Sequence, residues 1–131
     1  MAQTRTRVMI VEDEQSLLSL ETIILSSRGF DVSACADGST ALEKLGRERH
    51  DLVILDIMLP DIDGFEVCRR IRSNPATAAI PVIMLTARKN SADHERGLAA
   101  GANAYMTKPF KTAQLVETIA AVLASAAKRD Q

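Results

Sequence analysis

The sequence is poor in aromatic residues. Of its 131 positions none is Trp, one is Tyr and three are Phe. A flavin site, which stacks its ring system on aromatic side chains, is disfavoured by that shortage. Long apolar runs are missing as well. No stretch approaches the ~20 residues needed to span a bilayer, and the polar start MAQTRTR leads straight into a strand pattern with no secretory signal. No Lys/Arg run of the kind that tracks a phosphate backbone is present, and the net charge is −1. Direct nucleic-acid binding by this chain is therefore not expected. There are only two cysteines, Cys35 and Cys68, without metal-ligand spacing. They read as small core or boundary residues in a reducing cytosol, not as a disulfide framework.

What is present is ordinary globular material, 47% hydrophobic and 25% charged, at the size of one domain. Short apolar runs alternate with helical patterns. Val8–Val11 reads as a strand ending in the acids Glu12, Asp13 and Glu14. A helix follows from about Gln15 to Arg28, with Leu17, Leu20 and Ile24 on its inward side and Gly29 after its end. Phe30–Ala36 alternates as a strand, with Phe30, Val32 and Ala34 sharing a face, and Ser39 to about Arg49 reads as a helix. Leu52–Leu55 is a strand buried on both faces, ending at Asp56. Pro60 and Asp63-Gly64 mark a turn, with Asp63 as cap of a helix from Gly64 to Ser73 that turns Val67, Cys68 and Ile71 inward. Ile80–Leu85 is a fourth strand, ending at Thr86. A weak helix, about Ser91 to Ala100, has a thin apolar face of Ala92, Leu98 and Ala99 and an internal Gly97. Ala102–Thr107 forms the last strand, before Lys108-Pro109-Phe110, and a final helix carries Leu115, Ile119, Val122 and Leu123. Five strands alternating with five helices imply βαβ units: an α/β, flavodoxin-like (βα)5, doubly wound five-stranded parallel sheet of order 2-1-3-4-5.

In such a sheet the carboxyl ends of all strands share one edge. Glu12, Asp13, Asp56, Thr86 and Lys108 then converge on one cleft. Two carboxylates ~4 Å apart repel by about 1 kcal/mol in water and more near a protein surface. Lys108 offers one compensating charge. A hard divalent cation would offer the rest, and Mg2+ suits one or two carboxylates, several waters and a phosphate. A carboxylate beside such a cation can attack phosphorus and form an acyl phosphate. Each residue also has a plain structural reading: the acids as a solvated cap, Thr86 as a helix cap, Lys108-Pro109 as a loop. The joint placement at four strand ends favours a site.

The motifs VEDE (11–14), LDIMLPDIDG (55–64), MLTAR (84–88) and GANAYMTKPF (101–110) resemble those of the receiver domain of two-component response regulators, of the chemotaxis-response-regulator type. The resemblance covers about residues 7–123, and the steps of thirty residues from Asp56 to Thr86 and 22 from Thr86 to Lys108 match it. It implies one receiver domain over 1–131. It implies that Asp56 is the phosphoacceptor, served by a sensor histidine kinase or a histidine phosphotransfer protein. Asp13, Asp56 and the backbone carbonyl of Met58 would ligate Mg2+, or Mn2+ in its place, with Glu12 acting through water. Lys108 would pair with the phosphoryl group through a loop whose Lys108–Pro109 bond is cis. Ala87 would leave room for that group. Thr86 and Tyr105 would form a switch pair acting on the face of the fourth helix, fifth strand and fifth helix. Met58 and Arg88 occupy the positions that tune dephosphorylation; neither can position a hydrolytic water, so self-dephosphorylation is expected to be slow.

The same resemblance sets expectations for output. Asn103-Ala104, Thr118 and Ala120 stand where the winged-helix branch of the family carries the charged residues through which it dimerises, so no dimer of that charged type is expected; the unphosphorylated chain is expected to be a monomer. The start at Met1 fits a natural N-terminus, while the polar end Lys128–Gln131 equally fits a linker, so a single-domain regulator and the excised receiver of a longer regulator or hybrid kinase both stand. The downstream protein is not legible. An enzyme with a diffusing substrate is not expected; an aspartyl-nucleophile phosphatase is the remote alternative, and it usually carries a second acid two residues on, where Met58 stands here.

Overall fold

The fold was analysed in a computed structural model that describes residues 5–88 and 90–129. The expectations about residues 1–4 and the last two residues lie outside that range. Ten elements alternate: β1 Arg7–Val11, α1 Gln15–Ser26, β2 Asp31–Cys35, α2 Gly38–Arg47, β3 Leu52–Leu55, α3 Gly64–Ser73, β4 Val82–Thr86, α4 Ser91–Ala99, β5 Ala104–Thr107 and α5 Thr112–Arg129. All strands pair in parallel, in the order β2-β1-β3-β4-β5. The expected doubly wound topology is the one observed, with element ends displaced by one or a few residues.

Side chains alternate across the central strands, and each face has its own apolar layer. Met9, Val11, Val53, Leu55, Val82 and Met84 face Ala41, Leu45, Phe65, Val67, Cys68 and Ile71, so α2 and α3 cover one side. Val8, Ile10, Leu52, Ile54, Ile83 and Leu85 face Leu18, Leu25, Leu115, Ile119 and Val122 of α1 and α5. Each fully buried aliphatic side chain here contributes about 1.5–3 kcal/mol. Both cysteines are buried thiols with no disulfide.

Two helix faces and one strand face differ from the expectation. In α1 the buried residues are Leu18, Glu21 and Leu25, not Leu17, Leu20 and Ile24. The helix carries two overlapping apolar stripes one residue apart, and the sheet took the one that admits a glutamate. In β2 Ala34 is exposed and Cys35 is the buried residue, because β2 is an edge strand that no helix fully covers. In α4 the buried positions are Asp93 and Gly97, while Ala92, Leu98 and Ala99 are exposed. Its attachment is polar and sterically close where the sequence suggested a thin apolar face.

The helix ends follow local rules. Glu14, third of the three acids, accepts hydrogen bonds from Ser16 N and Leu17 N and caps α1. Asp37 caps α2 through Thr40 N, and Asp63 caps α3 through Glu66 N. Gly29 ends the α1 turn with φ +90, a conformation that favours glycine.

Candidate functional site

The sheet's own hydrogen-bond ladder builds the site. Beyond the paired tips Val11 and Leu55, the ladder continues for one residue: Glu12 N donates to Cys35 O at 3.0 Å and Asp56 N donates to Val11 O at 3.0 Å. At the other side Thr86 pairs with Thr107, and Lys108 N donates to Thr86 O at 2.8 Å. Four backbone positions, Glu12, Asp56, Thr86 and Lys108, are thereby fixed at the same edge. Asp56 and Glu12 are buried, and Thr86 is fully so.

Lys108 occupies the centre. Its Nζ donates to Asp56 Oδ2 at 2.7 Å and also to Glu12 Oε1. Burial by itself would lower the Lys108 pKa, but the bonds to Asp56 and then Glu12 outweigh it and hold the pKa above its usual value. Glu12 is pushed upward, by burial first and with the Asp56 charge adding, against the opposing bond from Lys108. The second Asp56 oxygen, Oδ1, accepts from Met58 N at 3.0 Å. The Lys108–Pro109 bond is cis, as the resemblance implied.

The loop after Asp56 is held from below. Gly64 N donates to Ile57 O at 2.8 Å, and a Cβ on Gly64 would lie 2.6 Å from Ile57 Cα. Glycine is required there for that approach. Asp61, a residue given no role from sequence, accepts from Gly38 N at 2.9 Å and Ser39 N at 2.8 Å. Those bonds, with that from the Ser39 side chain first, draw its pKa well below the carboxylate range. Met58 itself stands out of the surface, 54% exposed.

The predicted residues therefore divide. Glu12, Asp56 and Lys108 are in direct contact. Thr86 lines the same edge, its Oγ1 accepting from Arg88 N at 3.4 Å. Asp13 is exposed beside them. Tyr105 lies on β5, its hydroxyl donating to Arg88 O at 2.8 Å. Among the described residues no three His, Cys, Asp or Glu side chains form a preassembled metal cage. The donor chemistry nonetheless fits a hard cation of the Mg2+ kind. Two carboxylates, Glu12 and Asp56, share one ammonium with the exposed Asp13 adjoining in sequence, and Mg2+ takes one or two carboxylates and keeps its waters.

Sequence reasoning missed Glu21. It is 1% exposed, and among the described residues its Oε2 has no hydrogen-bond partner. Its pKa rises from an ordinary 4.5 to about 7, through burial first, then the Glu12 charge, against the pull of Lys108. The signal was present: Glu21 lies three residues from Leu18 and four from Leu25, on the less conspicuous stripe of α1.

Comparison with known proteins agrees with this geometry. Residues 8–120 match the response regulator receiver domain family. The DNA-binding response regulator MtrA of Mycolicibacterium smegmatis is 43% identical over 119 residues, covering 91% of this chain and 51% of MtrA. The chain thus spans about half the length of the curated relatives it matches. The CheY-like receiver domain protein of Methanospirillum hungatei JF-1 superposes with a TM-score of 0.90 at 29% identity, covering 96% of this chain and 99% of that one. The receiver domain of the sensor histidine kinase PA1611 of Pseudomonas aeruginosa PAO1, solved with magnesium coordinated in its active-site cleft, superposes with a TM-score of 0.86 at 33% identity, covering 92% of this chain and 99% of that one. The strand-tip carboxylates, the lysine between them and the 2-1-3-4-5 sheet find their common explanation here: the chain belongs to the receiver-domain family of two-component response regulators.

Proposed function

We propose that this chain is a phosphorylation-controlled binding module in which Asp56 accepts a phosphoryl group from a phosphohistidine of a sensor histidine kinase or histidine phosphotransfer protein. The observation that carries the reading is the seat of Lys108, whose ammonium bridges the Asp56 and Glu12 carboxylates. A carboxylate oxygen of Asp56 attacks phosphorus, the P–N bond to the donor imidazole breaks, and the imidazole leaves and takes up a proton. Lys108 follows the charge from carboxylate to phosphoryl oxygen, and the Met58 N–H keeps the other Asp56 oxygen oriented. Asp13, Asp56 and the Met58 carbonyl would hold Mg2+ or Mn2+, with Glu12 acting through water. When bound, the cation supplies charge neutralisation for the incoming group. Thr86 supplies a hydroxyl to a phosphoryl oxygen.

The outcome is a change of surface. Thr86 and Tyr105 bias the face made by α4, β5 and α5, and a full reversal of a two-state population takes about 5.5 kcal/mol of differential interaction. The downstream partner is a protein that reads this face. The module has no diffusing substrate and turns over no more than its own phosphoryl group. No helix among the described residues is long and apolar enough to cross a membrane, and buried free thiols suit a cytoplasmic setting. The unphosphorylated chain is a monomer. Phosphorylated Asp56 is long-lived for the family. Met58 cannot orient a water, and the Arg88 guanidinium is turned to Asp93 Oδ1 at 3.6 Å. An acyl-phosphate half-life of seconds contradicts that last point.

The test is chemical trapping. After treatment with a small phosphodonor, borohydride reduces an aspartyl phosphate to homoserine, and peptide mapping should place the product at position 56. Trapping elsewhere, or none, overturns the reading.

A further inference from the structure

Tyr105 is seated by more than its hydroxyl. The His94 ring on α4 stacks on it with centroids 4.9 Å apart and planes 7° apart. Gly97, one turn on, lies under the tyrosine: a Cβ there would meet Tyr105 Cδ2 at 3.0 Å and Met84 Sδ at 2.9 Å. The tyrosine hydroxyl donates to Arg88 O at 2.8 Å, and the same residue's N–H donates to Thr86 Oγ1 at 3.4 Å. Asp93, buried beside His94, accepts from Asn90 Nδ2 at 2.9 Å and pairs with Arg88 and Arg96. So the first turn of α4, Arg88, Asn90 and the ring of Tyr105 form one connected unit that ends on the Thr86 hydroxyl.

The parts of this unit differ in what they fix. Arg88 O anchors one end of the tyrosine. Gly97 removes the obstacle beneath the ring. Neither sets the ring plane. His94 does, because an offset aromatic pair has a preferred separation and tilt. We propose that His94 is a positioning residue that holds Tyr105 in its Arg88-bonded seat and so sets how readily an occupied Asp56 releases the ring. This rests on the phosphoacceptor reading above. Displacing Thr86 toward a group on Asp56 strips the Arg88 N–H of its acceptor and moves the carbonyl that Tyr105 uses, while His94 resists that movement. Coupling is reciprocal, so removing His94 should make Asp56 easier to occupy.

The sequence makes this directly measurable, since Tyr105 is the one tyrosine and there is no tryptophan. NMR of the tyrosine ring and its acrylamide quenching report on that side chain alone. In the free wild type the ring protons should carry the ring-current shift of a stacked imidazole and the ring should be shielded from quencher. His94→Ala should abolish the shift, raise quenching, lower the unfolding midpoint by no more than the loss of that one pair, and tighten binding of beryllofluoride with Mg2+ by about 2- to 10-fold, the worth of one aromatic pair. His94→Phe, which retains stacking, should restore both shielding and wild-type affinity. Unchanged ring shifts and affinity in His94→Ala, or no rescue by His94→Phe, overturn the role of His94. If beryllofluoride binds neither wild type nor variant, the phosphoacceptor reading fails instead; the ring shifts and quenching still report the seat itself.

Discussion

Glu21 carries a charge problem that the rest of the core avoids. Its carboxyl is buried between Leu18 and Leu25 in a layer otherwise apolar, with one oxygen that has no partner among the described residues. The folded pKa of about 7 against an ordinary 4.5 fixes the sign of its effect. Below pH 4.5 both states are protonated and Glu21 contributes nothing. Between 4.5 and 7 the native state keeps a proton that the unfolded chain has lost, so stability falls as pH rises. Above 7 the full penalty applies, about 3 kcal/mol. Glu21→Gln removes the titration. In denaturant unfolding the variant should gain about 2 kcal/mol more, relative to wild type, at pH 8 than at pH 5; equal effects at the two pH values would contradict the assignment. At this scale the sequence was legible where chemistry sits at strand ends, as with Asp56, Glu12 and Lys108. It was not where a residue's meaning depends on which neighbour arrives, as with Glu21, Asp61 and His94.

Among the elements, α1 and α4 show why legibility varies. Strands β1, β3 and β4 are buried on both faces, and their apolar runs admit one reading. Helix α1 has two apolar stripes, and its rotation is decided by packing on β2 and β1, not by its own periodicity. Helix α4 is too polar for periodicity to orient it; Asp93 and the bare backbone of Gly97 do so. The loop from Asp56 to α3 is better determined because proline and glycine punctuate it. Gly64→Ala should force the Ile57 backbone away and lower stability by about 1–3 kcal/mol, measured by urea unfolding. It should also slow phosphorylation, since Asp56 belongs to the same turn. Wild-type stability in that variant would show that the loop yields freely.

At the scale of the whole molecule, the stripe that α1 did not bury remains at the surface. Leu17, Leu20 and Ile24 line a groove of about 460 Å³ with Ala87, Pro109 and Phe110, against Lys108. Ile23 is 66% exposed and Leu20 48%. An apolar groove bordered by Lys108, the partner of the proposed acceptor Asp56, suits a helical phosphodonor that must deliver its histidine there. Leu20→Lys with Ile23→Lys should cut transfer from a cognate protein donor at least tenfold while leaving labelling by a small phosphodonor within about twofold; equal loss with both donors would place the defect in the site itself. The topology and the site edge followed from strand-helix alternation, whereas which surface serves which partner depends on rotations that the sequence leaves open.

The proposed function turns on Asp56 as the acceptor in a cation-dependent site. Intact-mass analysis after exposure to a small phosphodonor tests it most directly, with and without Mg2+, on the wild type and on Asp56→Asn. One phosphoryl group is expected on the wild type, only with the cation present, and none on Asp56→Asn. A labelled Asp56→Asn protein, or labelling that needs no divalent cation, would contradict it.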